Sequence, residues 1–289
     1  MIDLHLHSTF SDGSFTPEEL VQRADELGLS AIALTDHDTT KGFGRFEAAG
    51  RATQVQTIPG VEISADYKYG TMHILGYYLD VKNSELCTHL DWIRDGRDAR
   101  NKEILFKLVE LGMHITWKQV LQYAGDDVVG RPHFAKLMVD QGYVADASEA
   151  FSKYLAKGKA AYANRRRLSP EACIQLIRHA GGIPILAHPI TLHLKPPGLR
   201  RMVRQLTDFG LQGMEIMYSA HSIDLQRTYM KIAEKFDLIV TGGTDFHGKM
   251  SPGISMGTGR GDLKVPDSVL EVLQHRRDRQ RPVLVDLGV

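Results

Sequence analysis

Residues that could bind metal ions recur at the ends of short apolar runs along the chain. In the first run, at residues 2–7, Asp3, His5 and His7 alternate with aliphatic residues and would share one face of a strand. Two imidazoles and a carboxylate on one buried face would be costly without a positive partner. The candidate ligands are His5, His7, Asp12, His37, Glu62, His73, Asp245 and His247, together with His133 from a Gly-Arg-Pro-His segment.

These residue types indicate which metals the chain would hold. Imidazoles and carboxylates without thiolates suit zinc, manganese or iron, and fit poorly with calcium or with a structural zinc site. One ion cannot accept so many ligands, so two or three ions would share them, with Glu62 as a bridging carboxylate. Adjacent divalent ions lower the pKa of a bound water molecule, which then supplies a hydroxide nucleophile.

The apolar runs that precede the candidate ligands are typical of buried strands. They predict about seven strands, mostly separated by helices, and suit a parallel sheet covered on both faces. Capping signals predict helices that begin after Thr16 and Ser169, and a third helical segment is expected at residues 222–236. The pattern favours a β/α barrel with its chemistry at the C-terminal strand ends. The strands are expected near residues 2–7, 31–34, 55–64, 71–78, 183–187, 213–217 and 238–241.

Residues 85–168 do not follow this alternation. Their apolar spacing predicts helices at residues 90–112, 117–123, 132–142 and 148–156. We therefore expect a helical insertion subdomain at residues 85–168, between a first barrel part at residues 1–84 and a second at residues 169–289.

Composition limits the functions that the chain can have. The 289 residues contain 35 basic and 35 acidic side chains, which argues against a general polyanion binder but allows a small anionic substrate. The sequence has only two cysteines, Cys87 and Cys173, and they are far apart in the chain. This argues against a disulfide framework. The sequence shows neither a signal peptide nor a membrane-length apolar run, and nothing indicates an obligate protein partner. A cytoplasmic location is expected.

Six motifs together resemble those of the polymerase and histidinol phosphatase (PHP) family. They are His-Leu-His at 5–7, Ser-Asp-Gly at 11–13, Thr-Asp-His-Asp at 35–38, Pro-Gly-Val-Glu-Ile-Ser at 59–64, Ala-His-Pro at 187–189 and Asp-Phe-His-Gly at 245–248. The resemblance implies a distorted seven-stranded β/α barrel with a trinuclear metal centre. It assigns His5, His7, Glu62 and Asp245 to one metal, Glu62, His73 and His133 to a second, and Asp12, His37 and His247 to a third.

The insertion and the segment before His188 are similar to those of one subgroup of that family. This subgroup contains bacterial 3′,5′-nucleoside bisphosphate phosphatases related to short-RNA 5′→3′ exonucleases. The resemblance implies removal of a 3′-phosphate to leave a 5′-monophosphate, with trimming of short RNA as a further activity. We expect two to three divalent ions, with manganese preferred over zinc or iron.

Three other functions remain open from the sequence. One is a histidinol-phosphate-type phosphomonoesterase, against which the basic cluster of the insertion argues mildly. Another is a metal-dependent amidohydrolase, since a similar barrel serves that chemistry. The third is a regulatory PHP module that has lost metal-ligating residues. The complete ligand set of this chain argues against it.

Several further residues are candidates for contacting the substrate. His188 follows a strand but is surplus to the ligand set, so it is a candidate general acid or phosphate hydrogen-bond donor. Arg131 lies two residues before His133 and is a candidate for binding the reacting phosphate. Arg165, Arg166 and Arg167 are candidates for binding a second phosphate. The alternative for these arginines is a solvated charged surface.

Overall fold

A computed structural model describes residues 1–124 and 129–280, which form two compact units. One unit contains Met1–Thr88 and the described residues from Leu168 onward, and the other contains His89–Arg167. Residues 125–128 of the predicted insertion and 281–289 of the predicted second barrel part lie outside the described residues. Among the helices that the structure describes, none combines the length and apolar character needed to cross a membrane.

The first unit is built on a seven-stranded sheet in which the strands are neighbours in chain order. The first and last strands of this sheet meet: just beyond them, the His7 N–H donates a hydrogen bond to the Phe246 carbonyl at 3.0 Å. The predicted seven-stranded barrel is thus confirmed. The strands are β1 (Ile2–Leu6), β2 (Ala31–Leu34), β3 (Gln56–Ala65), β4 (Met72–Tyr77), β5 (Ile183–Leu186), β6 (Gly213–Tyr218) and β7 (Ile239–Gly243).

Strand β4 departs from the predicted parallel arrangement. It pairs antiparallel with both β3 and β5, whereas the other neighbouring strands pair in parallel. The reason is the connection at residues 66–71, which is too short for the crossover of a dozen or more residues that a parallel pair needs. This reversal is one distortion of the barrel.

Helices, numbered along the whole chain, connect most of the barrel strands. The predicted caps Thr16 and Ser169 are confirmed, and Ser222 caps the third predicted helix: each accepts a hydrogen bond from the backbone N–H group three residues later. Three further helices, α2, α8 and α10, were not predicted. The barrel helices are α1 (Pro17–Glu26), α2 (Phe43–Gly50), α7 (Pro170–His179), α8 (Pro196–Asp208), α9 (Ile223–Lys235) and α10 (Ser268–Gln280).

The second unit is helical, and the boundary between the units falls within its first helix. Its helices are α3 (Ser84–Glu110), α4 (Trp117–Ala124), α5 (Arg131–Asp140) and α6 (Ala147–Ala150), which continues into a π-helical turn at Phe151–Leu155. Ile104, Phe134 and Leu137 lie in an apolar cluster that belongs to this unit alone. The insertion therefore has a hydrophobic core of its own.

Two apolar clusters are buried among the described residues of the barrel unit. In one, Ile2, Leu4 and Ile185 pack with Leu273 of α10. In the other, Phe46 of α2 packs with aliphatic residues of α1, β1 and β2. Full burial of each such side chain contributes about 1.5–3 kcal/mol to the stability of the fold. This packing fixes the strands that carry the candidate ligands.

Candidate metal centre

The candidate ligands of the first unit come from the ends of its strands. His5 lies in β1 and His7 directly follows it, while His37 follows β2 and Asp245 follows β7. The C-terminal ends of parallel strands lie on one side of a barrel, so these residues converge. Asp12, Glu62 and His247 join them from the loop after β1, from β3 and from the loop after β7.

His73 reaches the same place from the opposite direction. It is the second residue of β4, and it pairs in register with Ser64 near the end of β3. Because β4 is antiparallel, its N-terminal end lies beside the C-terminal ends of its neighbours. A ligand on this strand must therefore precede the apolar run, as His73 does.

The structure brings eight of the nine candidate ligands into three overlapping groups, in which the ligand atoms lie within 4.8 Å of one another. The groups are His5, His7, Glu62 and Asp245; His7, Asp12, His37 and His247; and His37, Glu62 and His73. Each group offers only imidazole nitrogens and carboxylate oxygens, in line with zinc, manganese or iron.

Glu62 lies at the centre of these groups. Its Oε2 atom is 2.9 Å from His37 Nδ1 and 3.3 Å from both His5 Nε2 and His7 Nε2. Its Oε1 atom is 2.7 Å from His73 Nδ1. The fully buried carboxylate thus faces ligands of all three groups, as a bridging ligand must.

Buried polar atoms without partners test whether metal ions fit here. Five atoms in the cluster are buried and lack a well-aligned hydrogen bond to any described residue, although they lie within ion-pair distance of other ligand atoms: His5 Nε2, His7 Nε2, Asp12 Oδ1, His37 Nδ1 and Glu62 Oε2. Leaving such atoms unpaired is costly, and native structures pair most of them. Divalent cations bonded to these lone pairs would remove that cost, so the residues fit the metals.

Electrostatics keep the carboxylates of the cluster ionised. Burial would raise the pKa of the Glu62 carboxyl, but His73, His37 and His5 hold that pKa well below its usual value. Burial likewise opposes ionisation of Asp245, and His5 and His7 lower the pKa of that carboxyl well below normal. Ionised carboxylates are the form that binds divalent ions.

Two glycines permit the close approaches that build the cluster. A Cβ atom on Gly13, in the Ser-Asp-Gly motif, would lie 2.1 Å from the His7 carbonyl oxygen. A Cβ on Gly243 would lie 2.4 Å from the His5 Cβ. Any larger residue at either position would displace β1 and its ligands.

Asp36 and Asp38, which flank His37, hold neighbouring loops in place. Asp36 accepts hydrogen bonds from the Ser8 N–H at 2.7 Å and from the Ser11 hydroxyl at 2.6 Å. Asp38 accepts from the Ser64 N–H at 2.8 Å. These carboxylates therefore fix the backbone that carries the candidate ligands.

His188 lies against the same cluster. Its Nε2 is 2.9 Å from Glu62 Oε1, and its Nδ1 is 3.1 Å from the Thr191 hydroxyl. The backbone of His188 has a φ of 22°, which is unusual outside glycine. Such a conformation costs about 1–3 kcal/mol and persists only where surrounding contacts enforce it.

His133 and Arg131 belong to the helical unit, on the first turn of α5. The Gly130 N–H donates to His133 Nδ1 at 3.0 Å. Arg131 donates to the Leu155 carbonyl at 3.3 Å, and its guanidinium carbon is 5.9 Å from the centre of the Phe151 ring. Both side chains are thus held within this unit.

Arginines gather around Arg100 in the helical unit. Burial lowers the pKa of Arg100 to about 9, and repulsion from four further arginines adds to the effect. The four are Arg165, Arg131, Arg97 and Arg167. The side chain of Arg100 is only 7% exposed, and its Nε makes no hydrogen bond with any described residue. An oxyanion is the natural partner of this arginine cluster, which we define as these five residues.

Sequence reasoning missed Arg97 and Arg100 of this cluster, and also Glu215 of the barrel. The two arginines lie three residues apart in α3, so they share a helix face, but the surrounding acidic residues hide the pattern. Glu215 is a single charge within the apolar run of β6, and its burial shows that this charge is structural or functional. The isolated glutamate within an apolar strand was the sequence feature that could have identified Glu215.

The fold and the cluster place the chain among α/β-barrel proteins whose strand ends gather histidines and carboxylates for several metal ions. The PHP domain family model matches residues 3–165, and the chain belongs to that family. The resemblance inferred from the six motifs is therefore confirmed.

Several relatives are similar over most of their length. The chain is 34% identical to the 5′-3′ exoribonuclease Rnm of Salmonella typhimurium, covering 88% of this chain and 87% of the relative. It is 32% identical to the 3′,5′-nucleoside bisphosphate phosphatase of Chromobacterium violaceum, covering 89% and 90%. A solved amidohydrolase structure from Chromobacterium violaceum, with bound sulfate and no metal, has 31% identity and a TM-score of 0.80, covering 95% and 96%.

Proposed function

We propose that the chain is a metal-dependent phosphoric ester hydrolase that removes the 3′-phosphate from nucleoside 3′,5′-bisphosphates and leaves the 5′-monophosphate. The observation that carries this proposal is the buried Glu62 carboxylate, surrounded by imidazoles in three overlapping ligand groups. The names of the two relatives support the same chemistry for this chain.

The ligands proposed for the ions are the nine predicted from the sequence, His133 included. Two or three divalent ions, with manganese preferred, would activate the attacking water and neutralise charge on the phosphoryl oxygens. His5, His7 and Glu62 are buried and fixed in position, an environment in which electrostatic stabilisation of a reacting phosphate would be strong.

Hydrolysis breaks the bond between phosphorus and the 3′ oxygen, so that oxygen must receive a proton. We assign this proton transfer, or a hydrogen bond to the phosphate, to His188. Its ring lies against Glu62 and its other nitrogen is held by Thr191, which fixes its orientation. Arg131 is the proposed second contact to the reacting phosphate.

The arginine cluster is the proposed site for the second phosphate of the substrate. Guanidinium groups bind phosphate oxygens in pairs, and a buried guanidinium gains most from such a partner. This assignment adds Arg97 and Arg100 to Arg131, Arg165 and Arg167. A 5′-phosphate held there would distinguish a bisphosphate from a simple phosphomonoester such as histidinol phosphate.

Hydrolysis of the same type of bond, between phosphorus and a 3′ oxygen, would also trim short RNA. At the 5′ end of a phosphorylated RNA, a phosphorus on the 3′ oxygen joins the first nucleotide to the second. Hydrolysis of that bond with the 3′ oxygen as leaving group releases a 5′-mononucleotide. A bisphosphate and a 5′-phosphorylated RNA therefore present the same reacting groups, and the name of the Salmonella relative favours this second activity.

A substrate panel with manganese tests the proposal. The panel contains a nucleoside 3′,5′-bisphosphate, a 3′-monophosphate, 5′-phosphorylated and 5′-hydroxyl short RNAs, histidinol phosphate and an N-acyl amide. We expect the bisphosphate and the 5′-phosphorylated RNA to have the highest kcat/KM. Preference for the amide would instead support the amidohydrolase alternative, and equal turnover of histidinol phosphate would argue against a second-phosphate site. The cytoplasmic location expected from the sequence stays a prediction.

A further inference from the structure

Glu215 is a fully buried carboxylate in β6, a strand that contributes no residue to the three ligand groups found among the described residues. Its strand neighbours Met214 and Ile216 are buried and apolar. Burying a carboxylate destabilises a fold unless its oxygens are well bonded. The use of a carboxylate at this position therefore points to a specific task.

Both oxygens of Glu215 contact residues of the candidate centre. Oε1 lies 2.9 Å from His5 Nδ1, and Oε2 accepts a hydrogen bond from the His188 backbone N–H at 2.8 Å. One side chain thus joins a candidate metal ligand to the candidate general acid.

We propose that Glu215 is a positioning residue that sets the tautomer of His5 and the backbone of His188. The proposal rests on the metal-dependent function proposed above. The Glu215 carboxylate accepts from the His188 N–H through Oε2 and presents Oε1 as an acceptor to His5 Nδ1, so the contact favours a proton on Nδ1 and leaves a lone pair on Nε2. That Nε2 atom lies 3.3 Å from Glu62 Oε2 and 3.4 Å from Asp245 Oδ1, within its ligand group.

The neighbouring histidines show how specific this contact is. His7 Nδ1 lies 3.4 Å from the Ser11 hydroxyl, whose proton is donated to Asp36. The Nδ1 atom of His247 contacts the Asp245 carbonyl oxygen at 2.9 Å. Among these residues, His5 has its Nδ1 paired with a buried carboxylate outside the ligand groups, an arrangement that fixes the ring and strengthens it as a ligand.

Glu215 also holds His188 in its unusual backbone conformation. The positive φ of His188 needs surrounding contacts to persist, and the hydrogen bond to Oε2 is one of them. Loss of that bond would let the residue relax and would move its ring relative to Glu62. The same carboxylate therefore sets the relative position of a ligand and the candidate acid.

Glu215→Gln is the sharpest test, because the amide has nearly the same shape but only one accepting oxygen for two donors. The variant must lose either the His188 contact or the proton on His5 Nδ1. Long-range ¹H–¹⁵N spectra of zinc-loaded, ¹⁵N-histidine-labelled protein report the tautomer directly, with His5 assigned from the signal missing in His5→Ala. Competition with a chelator measures zinc and manganese affinity.

We expect Glu215→Gln to lose the uniform Nδ1-protonated form of His5 and to bind one ion about 10- to 100-fold more weakly. Ile216→Val, which trims a buried side chain on the same strand, controls for a general effect on β6. Glu215→Asp keeps two accepting oxygens and should retain the tautomer. An unchanged His5 signal and unchanged metal affinity in Glu215→Gln would overturn the proposal, as would equal losses in Glu215→Asp and Glu215→Gln.

Neither measurement uses a substrate, so the two proposals fail separately. A wild-type protein that hydrolyses no phosphoester but shows the expected tautomer change refutes the proposed function alone. An active phosphatase whose Glu215→Gln variant behaves like wild type refutes the positioning role alone.

Discussion

Arg166 and Arg167 are neighbours in the chain, but their side chains have different partners. The guanidinium carbon of Arg166 lies 5.6 Å from the centre of the Trp92 ring, and the residue is exposed. Arg167 is less exposed and lies close enough to Arg131 and Arg100 to lower the pKa of both guanidinium groups. Successive side chains of an extended segment point to opposite sides, as these two do. The basic run predicted as one cluster is therefore divided between two environments.

Charge reversal at these two positions should therefore have different effects. Arg167→Glu should raise KM for a nucleoside 3′,5′-bisphosphate about tenfold or more, because charge-assisted hydrogen bonds contribute about 1.5–3 kcal/mol. Arg166→Glu, the matched control, should change KM much less. Steady-state kinetics with a bisphosphate and with a 3′-monophosphate measures both. Equal effects of the two variants, or equal effects on the two substrates, would contradict the second-phosphate assignment.

Arg100→Met should stabilise the protein while it weakens substrate binding. Burial and neighbouring arginines lower the pKa of Arg100 to about 9, so its charge is retained at neutral pH at a cost to the fold. A cation whose pKa is lower in the folded than in the unfolded state destabilises the fold. The full loss of stability is present below the folded-state pKa, and it becomes smaller as the pH rises above that pKa. Removing the charge should raise the free energy of unfolding by about 1–4 kcal/mol at pH 7.

Urea denaturation at pH 7 and pH 10 measures this difference, which should shrink at the higher pH. KM for the bisphosphate should rise in the same variant. A less stable Arg100→Met protein at pH 7 would show that the charge is compensated in the fold. Arg94→Met, which removes a partly exposed arginine paired with Asp91, is the control.

His188→Ala should lower kcat about 100- to 10,000-fold without changing metal content, because general acid catalysis contributes in that range. His193→Ala is the control, since His193 is exposed and follows the short 3-10 helix Pro189–Leu192, which His188 precedes. Turnover and metal analysis on the same preparations check the prediction. Loss of metal from His188→Ala would make His188 part of the ligand set instead.

Glu62→Gln should prevent normal metal loading, because the amide loses one accepting oxygen of the carboxylate that faces all three groups. Manganese at 100 times its Kd should stabilise wild-type protein by about 2.7 kcal/mol. For a chain of this size that corresponds to a rise in Tm of roughly 4–5 °C. Scanning calorimetry with and without chelator should show this rise in wild type and in Glu47→Gln, an exposed control, but not in Glu62→Gln.

The sequence predicted the barrel and the converging ligands because each ligand lies beside an apolar run with a strand's period. It did not predict the antiparallel direction of β4, since strand direction depends on connection length and on pairing between strands. Helix α8 was missed because two prolines and several charges at its start obscure its strong apolar face. Glu215 and Arg100 acquire roles only through partners distant in sequence, which no local pattern encodes.

His7, His37 and Glu62 each belong to two of the three ligand groups. A substitution at any of them therefore damages two groups at once, whereas a substitution at His73 or Asp12 damages one. Descendants of this chain that abandon catalysis should lose the centre abruptly, in one or two substitutions at the shared positions. A lineage that keeps only part of the activity is expected to have changed at the unshared positions first.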